Sequence, residues 1–160
     1  MAANKYTETT GQDGRHQFLT FCLGNEEYGI EILDVQEIKG YSPVTPIPNA
    51  PAHVKGLMNL RGAVVPVVDL RARFGMAAQE YTPFTVIIVV KVGQKVVGLI
   101  VDAVSDVLDV DPAQLEATPD CGATVDTSFL TGLAHAGERL IGLLEVERVA
   151  GVGTGQPENS

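Results

Sequence analysis

The chain is poor in the residues that build most catalytic and metal centres. It has two cysteines and three histidines among 160 residues. Cys22 and Cys121 have neither C-x-x-C spacing nor the density of a secreted disulfide framework, so both read as free thiols. His16, His53 and His135 are scattered, and none has the partner spacing that puts two metal ligands on one face. Basic residues are also few, 11 against 20 acidic ones, giving a formal net charge of -9. That balance opposes counterion release on nucleic acid and adsorption to anionic lipid. The longest apolar run, Val86 to Val90, falls far short of the roughly 20 residues a membrane helix needs. Met1 to Arg15 lacks the apolar core and cleavage site of a secretory signal. The expectation is a cytoplasmic protein with no metal or cofactor, no nucleic-acid partner and no insertion into the membrane.

Nucleophile and phosphate motifs are missing as well. Ser42, Ser105 and Ser128 lack a G-x-S-x-G elbow. Asp102, Asp106, Asp109 and Asp111 lack the ligand order and turn glycine of a calcium loop, so they read as charges guarding a solvated strand edge. The Gly151-x-Gly153-x-Gly155 run has no βαβ unit around it and reads as a linker. Positions facing inward are Val, Ile, Leu and Phe, which fill a small barrel and leave no ligand cavity.

What the chain does have is a hydrophobic fraction of 45% and 17 glycines, a globular composition with many tight turns. Apolar runs punctuated by glycine cover Phe18–Leu23, Gly29–Ile38, Val64–Leu70, Val86–Val92, Val96–Val101 and Leu140–Val146, a mostly β pattern. Short polar links at Leu23–Glu27 and Val92–Lys95 read as hairpins. Helices are expected only as one or two turns, at Pro51–Leu57, Leu70–Phe74, Pro112–Leu115 and Glu147–Ala150, two of them started by proline. The proline-rich stretch Ser42–Pro51 reads as a stiff connector. Residues 1–15 and 151–160 are polar and expected to be mobile tails.

The pattern repeats. A shift of 69 lays Phe18–Gly29 on Ile87–Gly98 and continues through Val35 and Val104, Glu37 and Asp106, and Ile38 and Val107. A shift of 76 lays Gly56–Leu57 on Gly132–Leu133 and Val64–Leu70 on Leu140–Val146. An internal duplication of a unit with four or five short strands implies two small barrels, because closure removes exposed strand edges. A groove is expected where they meet. Gly56, Gly62, Gly98 and Gly132 interrupt the β pattern where turns or close approaches are expected. Between Gly56 and Gly62 lies a donor-rich tip with Asn59 and Arg61, a layout that suits protein recognition better than catalysis. Arg61 can either bond carbonyls of its own turn or present its planar guanidinium to a partner; Glu37 has a similar choice.

The set Glu27–Leu33, Val35–Ile38, Gly56–Gly62, Val65–Leu70 and Val97–Asp102, with Phe129–Leu133 following, resembles the CheW family of bacterial chemotaxis coupling proteins. The resemblance spans almost all of the chain between the tails, 16–150. It implies a mainly β fold of two intertwined five-stranded barrels of SH3 or OB type with a few short helices, halves near 16–80 and 84–150, and elements exchanged between them. It implies a protein with no enzymatic activity, linking cytoplasmic tips of methyl-accepting chemoreceptors to the histidine kinase CheA at the inner face of the membrane. By the same resemblance the receptor tip meets Val35, Glu37, Lys55, Asn59, Arg61, Val86 and Val104. The kinase's regulatory domain, itself similar in fold, meets Ile38, Gly40, Tyr41 and Val44. The alternative is that the chain is itself such a regulatory domain cut from a kinase, which the start at Met1 and the polar tail argue against. An added receiver domain has no room before Ser160.

Overall fold

A computed structural model describes residues 16–116 and 129–150. The expected tails at 1–15 and 151–160, Cys121, Ser128 and the glycine run from Gly151 lie outside the described residues. The first half of the chain forms β1 (His16–Leu23), β2 (Glu26–Glu31), a 3-10 turn (Ile32–Asp34), β3 (Val35–Gly40), β4 (Val54–Leu60), β5 (Ala63–Asp69) and α1 (Leu70–Arg73). The second forms β6 (Val86–Val92), β7 (Lys95–Val101), β8 (Ala103–Val110), a 3-10 turn (Pro112–Gln114), β9 (Leu115–Glu116), β10 (Leu130–Ala136), β11 (Arg139–Leu144) and α2 (Val146–Ala150).

Two sheets result, one of five strands in the order β3-β6-β7-β5-β4 and one of six in the order β8-β1-β2-β11-β10-β9. Each therefore contains a hairpin from the other half of the chain. The duplication holds down to individual pairs: Val67 faces Gly98 in the parallel β5–β7 ladder, and Leu143 faces Gly29 in the parallel β2–β11 ladder. Bulges repeat too, at Gly56 in β4 and at Gly132 in β10.

The apparent difference in strand number disappears at the edges. Thr45 pairs with Leu57 of β4, and its counterpart Glu116 of β9 pairs with Leu133 of β10. Only residues 41–44 join β3 to Thr45, and only residues 111–114 join β8 to β9. A flat sheet of six positions is about 24 Å wide, whereas such a link spans at most about 17 Å. Each sheet must therefore wrap around until its edges approach, although the ladders themselves leave its end strands unpaired with each other.

Wrapping encloses two interiors. Phe18, Val110, Ala134, Ile141 and Leu143 fill the six-stranded unit, while Met58, Val65, Val67, Ile87, Val89 and Ile100 fill the five-stranded one. A third cluster, which includes Phe21, Leu23, Ile30, Leu70, Ile88, Val90, Leu99, Leu144 and Val149, draws on strands of both sheets and on both helices. Burial of this shared cluster is what makes the two units one body, at about 1.5–3 kcal/mol for each large apolar side chain.

Three sequence expectations are corrected. Pro51–Leu57 is not a helix: Val54 onward is β4, whose alternate burial suits a wrapped sheet and overrides the proline start signal. The Gly29–Ile38 run is split by the 3-10 turn into β2 and β3. The glycine-bracketed tip is smaller than expected, because Leu57–Leu60 is strand and the turn is Arg61–Gly62 alone. The other short helices stand near their expected places, Val146 opening α2 where the strand pattern seemed to continue.

Two glycines are fixed by close approach. A Cβ at Gly98 would stand 2.8 Å from Cγ2 of Ile87, and one at Gly56 would stand 2.2 Å from the carbonyl oxygen of Thr45. At Gly40 a Cβ would meet nothing within 4 Å. Gly56→Ala is expected to break the Thr45–Leu57 bridge and lower stability by about 1–3 kcal/mol, whereas Gly40→Ala stays within about 0.5 kcal/mol of wild type. Urea unfolding of the two variants checks the contrast.

Candidate functional site

The tip expected to recognise a partner is a two-residue hairpin between β4 and β5. Arg61 has φ 51° and Gly62 has φ 90°, positive values at both central positions, which match the right-handed twist of the strands. Such a conformation is strained for arginine. Asn59 supports it, its Oδ1 accepting from the Gly62 backbone N–H at 2.9 Å. The Arg61 guanidinium then reaches across to β3, donating from Nη2 to Glu37 Oε1 at 2.5 Å and from Nη1 to Oε2 at 3.4 Å. Hydrogen bonding to that guanidinium holds the Glu37 carboxyl below its ordinary range. Arg61 neither bonds its own turn's carbonyls nor disappears into the fold, since its side chain stays 70% exposed.

Lys55 stands on the same strand as Asn59, with Nζ 5.4 Å from the centre of the Tyr81 ring. Tyr81 packs at a tilt against Tyr41, centroids 4.3 Å apart, and its hydroxyl donates to Asp69 Oδ2 at 2.9 Å. Asp69 also caps α1 through Oδ1, which accepts from Arg71 N. Burial pushes the Tyr81 hydroxyl pKa well up, with the bond to Asp69 adding to it. Lys55 is thus laid over an aromatic pair that is anchored to the start of a helix.

The three valines sit apart from this cluster. Val35, Val86 and Val104 are half-buried against the shared core. Val35 faces Val90 and Val86 faces Gly40, so these two lie at opposite ends of the β3–β6 ladder, about 14 Å apart. Val104 faces Phe21 on the other sheet. Glu37, Asn59 and Arg61 are therefore one cluster, Lys55 belongs to the tyrosine pair, and the valines line the junction of the units. Among the expected kinase contacts, Ile38 is 43% exposed and Gly40 is open, while Tyr41 and Val44 are half-buried against the five-stranded interior.

A cleft of about 200 Å³ lies where the first 3-10 turn, the β6–β7 hairpin and the start of α2 meet, lined by Glu31, Asp34, Lys91, Val92, Gly93, Glu145, Val146 and Glu147. None of the seven expected receptor contacts lines it. Among the described residues no three of His, Cys, Asp and Glu are grouped to hold a metal ion.

Sequence reasoning missed several exposed apolar residues, notably Leu33, Val64, Phe84 and Leu140. Position directly beside a hairpin turn was the available signal for Val64 and Leu140. The aspartates read as a solvated edge do lie on or beside edge strand β8, but they are held, Asp111 capping the second 3-10 turn by accepting from Ala113 N at 3.1 Å. Asp102 accepts from Arg71 at 2.9 and 2.7 Å and from Gly24 N at 2.8 Å, and Asp106 accepts from Thr20 at 2.7 Å and from Arg139. Arg139 pairs with Glu27 as well.

The CheW-like domain family matches residues 17–152. The chain belongs to the CheW family. It is similar to the chemotaxis protein CheW of Klebsiella aerogenes, 49% identical over 89% of this chain and 83% of that protein. The chemotaxis protein CheW of Rhizobium meliloti is 45% identical over 86% of this chain and 88% of its own length. The structure of this chain is similar to that of the scaffolding protein TtCheW from Thermoanaerobacter tengcongensis, with TM-score 0.76 and 35% identity over 81% of this chain and 88% of that one.

The Arg139 cluster gives this CheW-family fold an acid-side dependence. Hydrogen bonds from Arg139 lower the Glu27 and Asp106 pKa values below their ordinary 4.5 and 3.8. Carboxylates lowered in the folded state contribute stability above those ordinary values and lose it as pH falls through the folded ones. Arg139→Gln is expected to be less stable than wild type at neutral pH, with the gap closing as pH falls below about 4. Denaturant midpoints measured across pH check the convergence.

Proposed function

We propose that this chain joins the cytoplasmic tips of methyl-accepting chemoreceptors to the histidine kinase CheA and performs no chemistry of its own. That it is a chemotaxis adaptor of scaffold type follows from its family and from relatives named chemotaxis protein CheW that it matches along most of their length. That match also supports a CheW protein over a regulatory domain cut from a kinase. A cytoplasmic place at the receptor arrays accompanies the role, and no described helix is long and apolar enough to cross a membrane.

In this reading the receptor's helical hairpin docks through Val35, Val86 and Val104 as apolar contacts, with Glu37, Lys55, Asn59 and Arg61 as a polar rim. The kinase's regulatory domain meets Ile38, Gly40, Tyr41 and Val44. The observation that supports it most is Arg61, kept in a strained backbone conformation and yet 70% exposed at its side chain. Strain of this kind collects at functional sites because the surrounding structure must maintain it. Glu37 fixes the guanidinium in place, which lowers the entropy lost when a partner binds.

Charge reversal separates recognition from folding. Arg61→Glu and Glu37→Arg are each expected to weaken binding of a receptor-tip fragment by roughly tenfold or more. The double variant re-forms the ion pair with its ends exchanged and should recover thermal stability without recovering affinity. Wild-type affinity for Arg61→Glu, with an intact circular dichroism spectrum, contradicts the role. Recovery of a receptor fragment and a histidine kinase together from native cytosol tests the coupling itself.

A further inference from the structure

Lys55, proposed for the receptor contact, and Tyr41, proposed for the kinase contact, meet on one side chain. Lys55 Nζ is 5.4 Å from the centre of the Tyr81 ring, and the Tyr41 ring lies 4.3 Å from it at an interplanar angle of 44°. Tyr81 itself lies outside the strands, in the segment that joins the two halves of the chain. Residues 77–80 and 82–84 of that segment are exposed, and Tyr81 between them is turned inward against the five-stranded interior, beside Tyr41. Its hydroxyl fastens it to Asp69 at 2.9 Å.

The fold does not require this arrangement. Under the internal duplication Tyr41 becomes Val110 and Lys55 becomes Thr131. Val110 is buried in the six-stranded interior, so that unit forms without a tyrosine pair or an overlying cation. What the pair adds to the other unit follows from the freedom of the parts it holds. Lys55 is exposed, and a lysine on its four-carbon stem loses much rotamer entropy when a partner fixes it. Attraction between the ammonium and the tyrosine ring removes part of that freedom beforehand. Tyr41 follows Gly40 at the end of edge strand β3, and the tilted contact between the rings sets its orientation. The bond from Tyr81 to Asp69, which also caps α1, ties both to the frame.

We infer that Tyr81 is a positioning residue for both partner contacts, holding Lys55 for the receptor tip and Tyr41 for the kinase's regulatory domain. The inference rests on the coupling role proposed for the chain and adds a residue that touches neither partner. Its effect is confined to the two side chains laid against the ring. Arg61 is held separately, by Glu37 across the sheet and by the Asn59 support of its turn, so the Arg61 contact does not pass through Tyr81.

Titration of the full chain with a receptor-tip fragment and, separately, with the histidine kinase tests it. Tyr81→Leu is expected to weaken both affinities by about threefold to tenfold, the entropy of one freed side chain in each contact. Tyr81→Phe keeps the ring against Lys55 and Tyr41 and should stay within about twofold of wild type for both. Double variants separate positioning from a general loosening of the fold. Lys55→Ala should cost less receptor affinity in the Tyr81→Leu background than in wild type, and Tyr41→Ala less kinase affinity, while Arg61→Glu costs the same in both backgrounds. Wild-type affinities for Tyr81→Leu overturn the inference and leave the coupling role standing. So do losses in Tyr81→Phe as large as those in Tyr81→Leu, additive effects of Tyr81 with Lys55 and Tyr41, or a cost of Arg61→Glu that shrinks in the Tyr81→Leu background. A wild-type chain that binds neither partner overturns the coupling role and this inference together.

Discussion

Neither sheet can be completed by its own half of the chain. The β1–β2 hairpin lies in the sheet that β8, β10 and β11 build, and the β6–β7 hairpin lies in the one that β3, β4 and β5 build. Both exchanges are made through a short parallel ladder beside a glycine, Gly29 against Leu143 and Gly98 against Val67. A Cβ at Gly98 would touch Val67 across that ladder at 3.5 Å and crowd Ile87 of its own hairpin at 2.8 Å. With the hairpins exchanged, Phe21, Leu23, Ile88 and Val90 reach a core that belongs to both units. The surfaces proposed to bind partners are fixed relative to one another by that core.

In the proposed role, function is a matter of placement. Short links bring the edges of each wrapped sheet together, and the Arg61–Glu37 pair spans the edges of one of them. The same ion pair that holds a strained turn therefore sets the rim of the proposed receptor contact. Arg73 ties the halves at another point, its guanidinium donating to the Val149 and Arg148 carbonyls of α2 while lying 4.9 Å from the Phe129 ring centre. A scaffold transmits a partner's position only if its own parts do not shift, and these contacts serve that rigidity.

Much of this was legible in the sequence because it is local or periodic. Alternating apolar residues and the links at Gly24 and Gly93 mark the hairpins, and the shifts of 69 and 76 carry equivalent strands onto one another. β4 was misread because Pro51 sits where proline starts a helix, although Val54–Leu60 pairs locally, with β5 across the Arg61–Gly62 turn and with Thr45. Candidate residues on β3 and β4 were found through the family motif. What holds them was not visible, since Glu37 lies 24 residues from Arg61 and Glu27 lies 112 from Arg139. Spacings of that size are decided by the wrapped topology.

The exchange of hairpins is tested most directly by producing residues 16–80 and 84–150 as separate fragments and recording amide NMR spectra of each alone and of the mixture. Unfolded spectra for both fragments, and a dispersed native-like spectrum on mixing, are the expected result. A well-dispersed spectrum from either fragment by itself would show a half that completes its own sheet, and would contradict the account.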